Sequence, residues 1–179
     1  LAEILDADYL IILTAVEQVA INFGKENEQW LSTLTINEAE KYIEEGHFAP
    51  GSMLPKVKAA ISFAESKEGR KALITSLENL YIKKAWLYRG INESNGELKN
   101  LSEALHLYEK KYLTASNVGG ALSENGLAYL IAELSRRVGD YNKAQKYFGI
   151  LINSQDAKKE KYIYSLAKRQ YEILKEEKK

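Results

Sequence analysis

With 179 residues and a 45% hydrophobic composition, the chain can bury one substantial core or two small ones, which excludes wholesale disorder and implies a globular, water-soluble protein. Lys and Arg together number 25, as do Asp and Glu, and a net charge of zero argues against a broad basic footprint for nucleic acid or anionic lipid. The balance is uneven along the chain: residues 1–79 hold 7 basic and 13 acidic side chains, a net of −6, and residues 80–179 hold 18 and 12, a net of +6, as if two units of different composition were joined.

Absent residue types narrow the chemistry further. No cysteine occurs, so disulfides, thiolate zinc sites, iron–sulfur clusters and cysteine nucleophiles are excluded, and with only His47 and His106 a histidine-rich metal site is not expected. The apolar run around Tyr9–Leu13 is far shorter than the ~20 residues of a membrane helix, so no span is expected. The sequence opens on Leu1 with neither an initiator methionine nor a basic leader, which reads as a fragment boundary in a cytoplasmic protein.

In chain order, Tyr9–Thr14 reads as a strand buried on both faces of a parallel sheet, extended by Val19–Asn22 toward a turn at Gly24–Asn27. Thr35-Ile36-Asn37-Glu38 has the form of a capping box and opens a helix through about Glu45, ended by Gly46. The loop Phe48–Pro55 leads into a helix with Val57, Ala60, Ile61 and Ala64 on one face, and Ala72–Thr75 reads as a second buried strand. From about Glu78 the apolar period becomes 3.6. Ile82, Ala85, Trp86 and Arg89 trace one helix face, with Trp86 as its anchor. Leu101, Ala104, Leu105, Tyr108 and Tyr112 trace the next, and Asn117–Gly120 breaks the pattern. Leu127, Leu130, Ile131, Leu134 and Val138 form a stripe closed by Gly139-Asp140; Tyr141, Ala144, Phe148, Leu151 and Ile152 form another; a fifth helix runs from about Lys159 to Glu177 and ends in Lys178-Lys179. Ala128…Leu134…Gly139-Asp140-Tyr141…Ala144…Phe148 has the spacing of a tetratricopeptide helix pair, and Ala85–Tyr88 with Ala104 and Tyr108 is a weaker copy; an ordinary helical bundle fits the same stripes.

Two family resemblances follow. Residues 1–80 resemble the carboxy-terminal part of carbamate kinase, in the amino-acid kinase fold. The match is carried by Asn22-Phe23-Gly24-Lys25, by Ala72–Leu80 and above all by Gly46-His47-Phe48-Ala49-Pro50-Gly51-Ser52-Met53-Leu54-Pro55-Lys56. The resemblance implies that Thr14, Gly51, Ser52 and Met53 line an ADP/ATP site, with Mg²⁺ accompanying the nucleotide, and that Lys56 faces the phosphates. A loop of small residues before a helix N-terminus does let backbone N–H groups approach an anion, but residue chemistry alone favours reading Lys56 as a solvated lysine at a helix start, and it is the resemblance that turns it toward the phosphates. Glu17 stands where that family usually has Asp. The family's amino-terminal lobe, with its Gly-rich phosphate loop, carbamoyl site and second lysine, has no counterpart in the 179 residues, and neither has the strand expected after Leu80; half a clamp should not transfer a phosphoryl group.

Residues 81–179 are similar instead to the carboxy-terminal half of a bacterial family that joins a cysteine-rich, zinc-binding region to a tetratricopeptide-like region. The similarity rests on Ala85-Trp86-Leu87-Tyr88-Arg89, Tyr129–Leu134 and Arg136-Arg137 with Gly139-Asp140-Tyr141. The resulting expectation is an α+β chain in which an α/β fragment of the amino-acid kinase fold (1–80) precedes an all-α tetratricopeptide-like array (81–179). Its function reads as a protein-interaction module, taking a peptide or protein partner on the array, joined to an inactive nucleotide-binding fragment. The alternatives are a kinase-derived ADP/ATP-binding protein and a chimera with no evolved activity. Neither nucleic acid nor membrane is expected as a partner, and truncated sheet edges lead to an expected homo-oligomer. Elsewhere, His106 reads as a packed or surface residue. His47 reads as orienting the Met53 loop or as a cation at a helix C-terminus, and Arg136-Arg137 as dipole complement or as a contact for an acidic peptide.

Overall fold

The computed structural model describes residues 1–114 and 122–177, so the expected break at Asn117–Gly120 and the closing Lys178-Lys179 lie outside the described residues. The chain is α+β and divides into two compact units, Leu1–Leu77 and Glu78–Lys179.

The first unit is built on two parallel strands, β1 (Tyr9–Leu13) and β4 (Lys71–Thr75), in register from Tyr9 opposite Lys71 to Leu13 opposite Thr75. The chain between them forms a hairpin of β2 (Val19–Ile21) and β3 (Gln29–Leu31), then α1 (Ile36–Glu44) and α2 (Met53–Glu65). The capping box forms as its residues dictate: Glu38 N–H donates to Thr35 Oγ1 at 3.3 Å while the Thr35 N–H donates to Glu38 Oε2 at 2.9 Å. The Thr35 hydroxyl also donates to that carboxylate, which holds the Glu38 pKa below its ordinary value. Gly46, at φ +74°, takes the left-handed turn that ends α1. Helix α2 begins at Met53, ahead of Pro55, which is tolerated because it occupies the first turn, where N–H groups have no intrahelical partner.

Val19, Ile21, Ala39, Phe48 and Val57 are the buried centre of this unit, with Ile61 and Ile74 packed against them. Two expectations fail here. Tyr9, Ile11 and Leu13 are exposed, so β1 buries only its Leu10/Ile12 face, because its sheet has two strands rather than helices on both faces. Val19–Asn22 does not extend β1: Asn22, at φ +53°, turns the chain into the hairpin with β3, a strand too short to show periodicity. At the base of the unit Lys67 and Arg70 grip Asp6 at 2.8 and 2.9 Å, and the Lys67 ammonium, followed by Arg70, holds the Asp6 carboxyl below its usual range. The Arg70 guanidinium also lies 5.1 Å from the Phe63 ring centre, over a buried aromatic.

The second unit is helical throughout its described residues: α3 (Leu77–Gly90, whose first residue closes the first unit), α4 (Ser94–Thr114), α5 (Glu124–Arg137), α6 (Tyr141–Asn153), α7 (Gln155–Lys159) and α8 (Lys161–Glu177). Helix α5 joins two cores through its two faces. Leu127, Ile131 and Leu134 pack with Ala85 of α3 and with Leu101, Ala104, Leu105 and Tyr108 of α4. Ala128 and Ala132, one position further on, pack with Ala144, Phe148 and Leu151 of α6, Ala157 of α7, and Ala167 and Leu174 of α8. Small side chains on the second face let α5 and α6 approach closely across the turn at Gly139 (φ +87°), where Asp140 caps α6 by accepting from Lys143 N–H at 3.1 Å.

The five helices expected here become six. Ser154 ends α6 in extended backbone and caps α7 through Ala157 N–H, so the last helix is broken before Lys161 rather than running from Lys159. Glu160, at that break, accepts from Ser123 Oγ at 2.8 Å and Asn125 Nδ2 at 2.6 Å, tying the start of α5 to the start of α8. Trp86 is no anchor: it is 53% exposed, and Ala85 is the α3 residue that is fully buried. Tyr88 instead lies on Gly96, where a Cβ would run into the Tyr88 ring and the Glu93 carboxylate. Gly96→Ala is therefore expected to destabilise the α3–α4 corner by about 1–3 kcal/mol in a denaturant melt, whereas Gly149→Ala, with open space at its Cβ, should be neutral or stabilising.

Candidate nucleotide site

The cavity of chemical interest lies in the first unit, past the carboxyl end of β1. In parallel α/β arrangements the loops leaving strand ends are free of ladder hydrogen bonds and form the crevice that takes ligands. Here the Thr14 N–H makes the last ladder bond, to Thr75 O at 3.0 Å, and Thr75 Oγ1 then donates to Glu17 O at 2.9 Å, fixing the turn after the strand. Three segments wall a cavity of about 210 Å³: Thr14, Ala15, Val16 and Gln18 after β1; Ala20, Phe23 and Trp30 from the hairpin; and His47, Phe48, Ala49, Ser52, Met53 and Lys56 from the α1–α2 connection and the start of α2.

Four of the residues singled out in the sequence, Thr14, Ser52, Met53 and Lys56, thus meet at one cavity although some 40 residues separate Thr14 from the others. Gly51 is not among its walls; it is exposed, and a Cβ there would meet nothing within 4 Å. Phe23 and Phe48 enter the sequence reading only within the motif strings, not as site residues, and Trp30 does not enter it. Trp30 sits in a three-residue strand with no periodicity, and only its edge-to-face packing on Phe23, centroids 5.9 Å apart at 86°, brings both rings to the site. His47 lines the cavity and is held by Glu45 Oε2 at 3.1 Å and by the Tyr42 ring at 5.4 Å, which suits the orienting role considered for it.

Polarity is divided within this cavity. The hairpin side is aromatic and apolar, and the α2 side carries the Ser52 hydroxyl and the Lys56 ammonium, which donates to Ser52 O at 2.8 Å and so lies over the first turn of α2. The partial positive charge of a helix start and a lysine charge coincide there, the arrangement that favours an anionic group. The volume falls below the ~300–1,000 Å³ of sites that enclose a drug-sized ligand, so it fits one ring system with the rest of the molecule outside. Among the described residues no group of three or more His, Asp or Glu converges as a metal site would need. A second, larger groove of about 450 Å³ between α1 and α2 is lined by Glu40, Glu44 and Glu65 with Lys58, and offers no apolar slot of comparable enclosure.

In the helical unit Arg136 and Arg137 are already occupied. Glu133, itself buried, accepts from Arg136 at 3.1 Å and Arg137 at 2.7 Å, and Glu177 takes the remaining edge of Arg136. The pair therefore complements its own helix and α8, and a role in holding an acidic peptide is not favoured. His106 is exposed on α4. No helix of the described residues is long and apolar enough to cross a membrane.

A bacterial family described as "Uncharacterized protein conserved in bacteria (DUF2225)" matches residues 28–174. Among curated relatives, the chain is 74% identical over 77 residues to the carbamate kinase-like protein YqeA of Escherichia coli K12, covering 43% of this chain and 25% of that protein. It is 59% identical over 80 residues to carbamate kinase 1 of Enterococcus faecium, covering 45% and 26%. The chain thus has carbamate kinase homology over about 45% of its length, and spans about a quarter of the curated relatives it matches. Among solved structures, the carbamate kinase of Giardia lamblia bound to AMP-PNP is 44% identical over 42% of this chain and 24% of its own, with a TM-score of 0.40.

Proposed function

The chain belongs to the DUF2225 family, and on that premise we propose that it is a tetratricopeptide-like interaction module joined to a carbamate-kinase-like fragment that captures an adenine nucleotide without transferring its phosphoryl group. The observation that carries the nucleotide reading is the convergence of Thr14, Ser52, Met53 and Lys56 on one cavity whose other wall is aromatic. The base enters between the hairpin and Met53, and the phosphates lie outside, against Lys56 and the start of α2. Among the described residues lining the cavity Lys56 is the one Lys or Arg, whereas a moving phosphoryl group needs charge and orientation from several sides at once. For the helical unit, the support is the pairing of α5 and α6 through Ala128, Ala132, Ala144 and Phe148, the small-residue contact on which stacked helix pairs depend. Trp86 and Leu87, exposed on α3, and Ile91, exposed in the turn after it, are the apolar residues this module would offer a peptide.

Trp30 reports on the cavity directly. In a Trp86→Phe background, where it is the sole tryptophan, ADP with Mg²⁺ is expected to change its fluorescence saturably, while carbamoyl phosphate and ADP together yield no ATP. ATP formation at the 1–10³ s⁻¹ typical of enzymes, approximately, would overturn the proposed lack of turnover. An unresponsive Trp30 would remove the nucleotide.

A further inference from the structure

Charge is sorted along the last two helices, which the zero net charge of the whole chain conceals. Between Ala157 and Tyr171 stand Lys158, Lys159, Lys161, Lys168 and Arg169 against a single acid, Glu160, whose oxygens are taken by Ser123 and Asn125. The acids of α8, Glu172, Glu176 and Glu177, all fall in its second half, where Glu172 holds Lys175 at 2.9 Å and Glu177 holds Arg136. This order opposes the helix dipole, which favours acids in the first turn and cations in the last, so the stability of α8 does not account for it.

Lys161 and Lys168, seven residues apart, lie on one line of α8, Tyr162 and Arg169 lie on the next, and Ser165 stands between; all five are exposed. Lys168 rides over the Tyr164 ring, 5.6 Å from its centre, which holds the ammonium to the helix surface. Among the described residues Lys158, Lys161, Lys168 and Arg169 form no ion pair, and Lys159 is held by Asp156. Tyr162, 75% exposed, is the one large hydrophobic side chain exposed on the described residues of α7 and α8. Cations without carboxylate partners are costly to bury, so this face is not the missing wall of a larger core. A bilayer needs several apolar side chains to insert, and the face offers one ring. An acidic peptide would use the cations and leave the ring unmatched. A single strand of nucleic acid uses both, its phosphates against the cations and its unpaired bases against the ring. We propose that the α8 face of Lys161, Tyr162, Lys168 and Arg169, with Lys158 ahead of it on α7, binds single-stranded nucleic acid without reading its sequence. The face shares no residue with the cavity in the first unit.

Fluorescence anisotropy of a labelled oligoadenylate of about 12 nucleotides, titrated with the full chain at low salt, is expected to show saturable binding. Four phosphate contacts give a slope of log affinity against log salt of about −3, a loss of roughly 50-fold between about 50 and 200 mM. Neutralising two of the four cations together, with Lys168→Gln and Arg169→Gln, is expected to halve that slope. Tyr162→Ala is expected to weaken binding by roughly 5- to 100-fold and leave the slope unchanged. All three substituted side chains are exposed, so circular dichroism should be the same in both variants, and the wild-type salt slope is a readout that needs neither. Excess ADP should leave the oligonucleotide bound, which separates this face from the cavity that holds Lys56. No binding at low salt, a flat salt dependence, full-strength binding by Tyr162→Ala, displacement by ADP, or equal binding of a polyglutamate of the same charge would each overturn the proposal, the last by making the face a contact for acidic peptides.

Discussion

Truncating Phe148 to alanine is expected to cost the helical unit about 3–5 kcal/mol in a urea melt, because a fully buried ring is lost from the contact between α5 and α6. Phe148 has no solvent exposure and lies among Ala128, Ala132 and Ala144, whose small side chains cannot move in to fill the void. Its ring also meets Tyr129 at 6.3 Å between centroids, so the loss extends to the neighbouring aromatic. Trp86→Ala is the contrasting substitution. Trp86 is half exposed at the surface of α3, and its removal should change stability by no more than about 0.5 kcal/mol. Equal effects of the two changes would mean that the core is not where the helix stripes place it.

Separated at Leu77, the two units should behave very differently. Residues 78–179 hold both helical cores, a buried Glu78 bonded to Lys111 at 2.8 Å and a Lys143–Glu109 pair at 2.7 Å, all internal to that segment. They are expected to melt cooperatively on their own, as neighbour-stacked helices do. Residues 1–77 keep five buried centre residues under a two-stranded sheet with an apolar outer face, and should be poorly folded alone. Circular dichroism melts of the two pieces decide this: an unfolded 78–179 beside a stable 1–77 would contradict the boundary.

Much of this architecture is legible in the residues because local and global signals agree. Thr35 and Glu38 can satisfy the first turn of α1 only as a capping box, and Leu127/Ile131 against Ala128/Ala132 separates the two faces of α5 by one residue. What escapes a reading of the sequence is set by distant contacts. A continuous apolar run such as Tyr9–Leu13 looks the same whether a sheet is covered on one face or both. The Ser154 cap that splits off α7 involves a residue type common in loops, and Trp86 is exposed because Ala85, next to it, takes the inward position on α3. At the cavity, the α2 side is readable as a run of small residues ahead of a lysine. The aromatic side depends on a hairpin whose strands are three residues long.

Calorimetric titration of the full chain with ADP and Mg²⁺, repeated on Lys56→Ala, tests the nucleotide reading most directly. A charge-assisted contact to phosphate is worth about 1.5–3 kcal/mol, so the account predicts one saturable site per chain for the wild type and affinity weaker by roughly 10- to 100-fold for Lys56→Ala, with circular dichroism unchanged. No heat of binding in the wild type, or equal affinity in the two proteins, would contradict it.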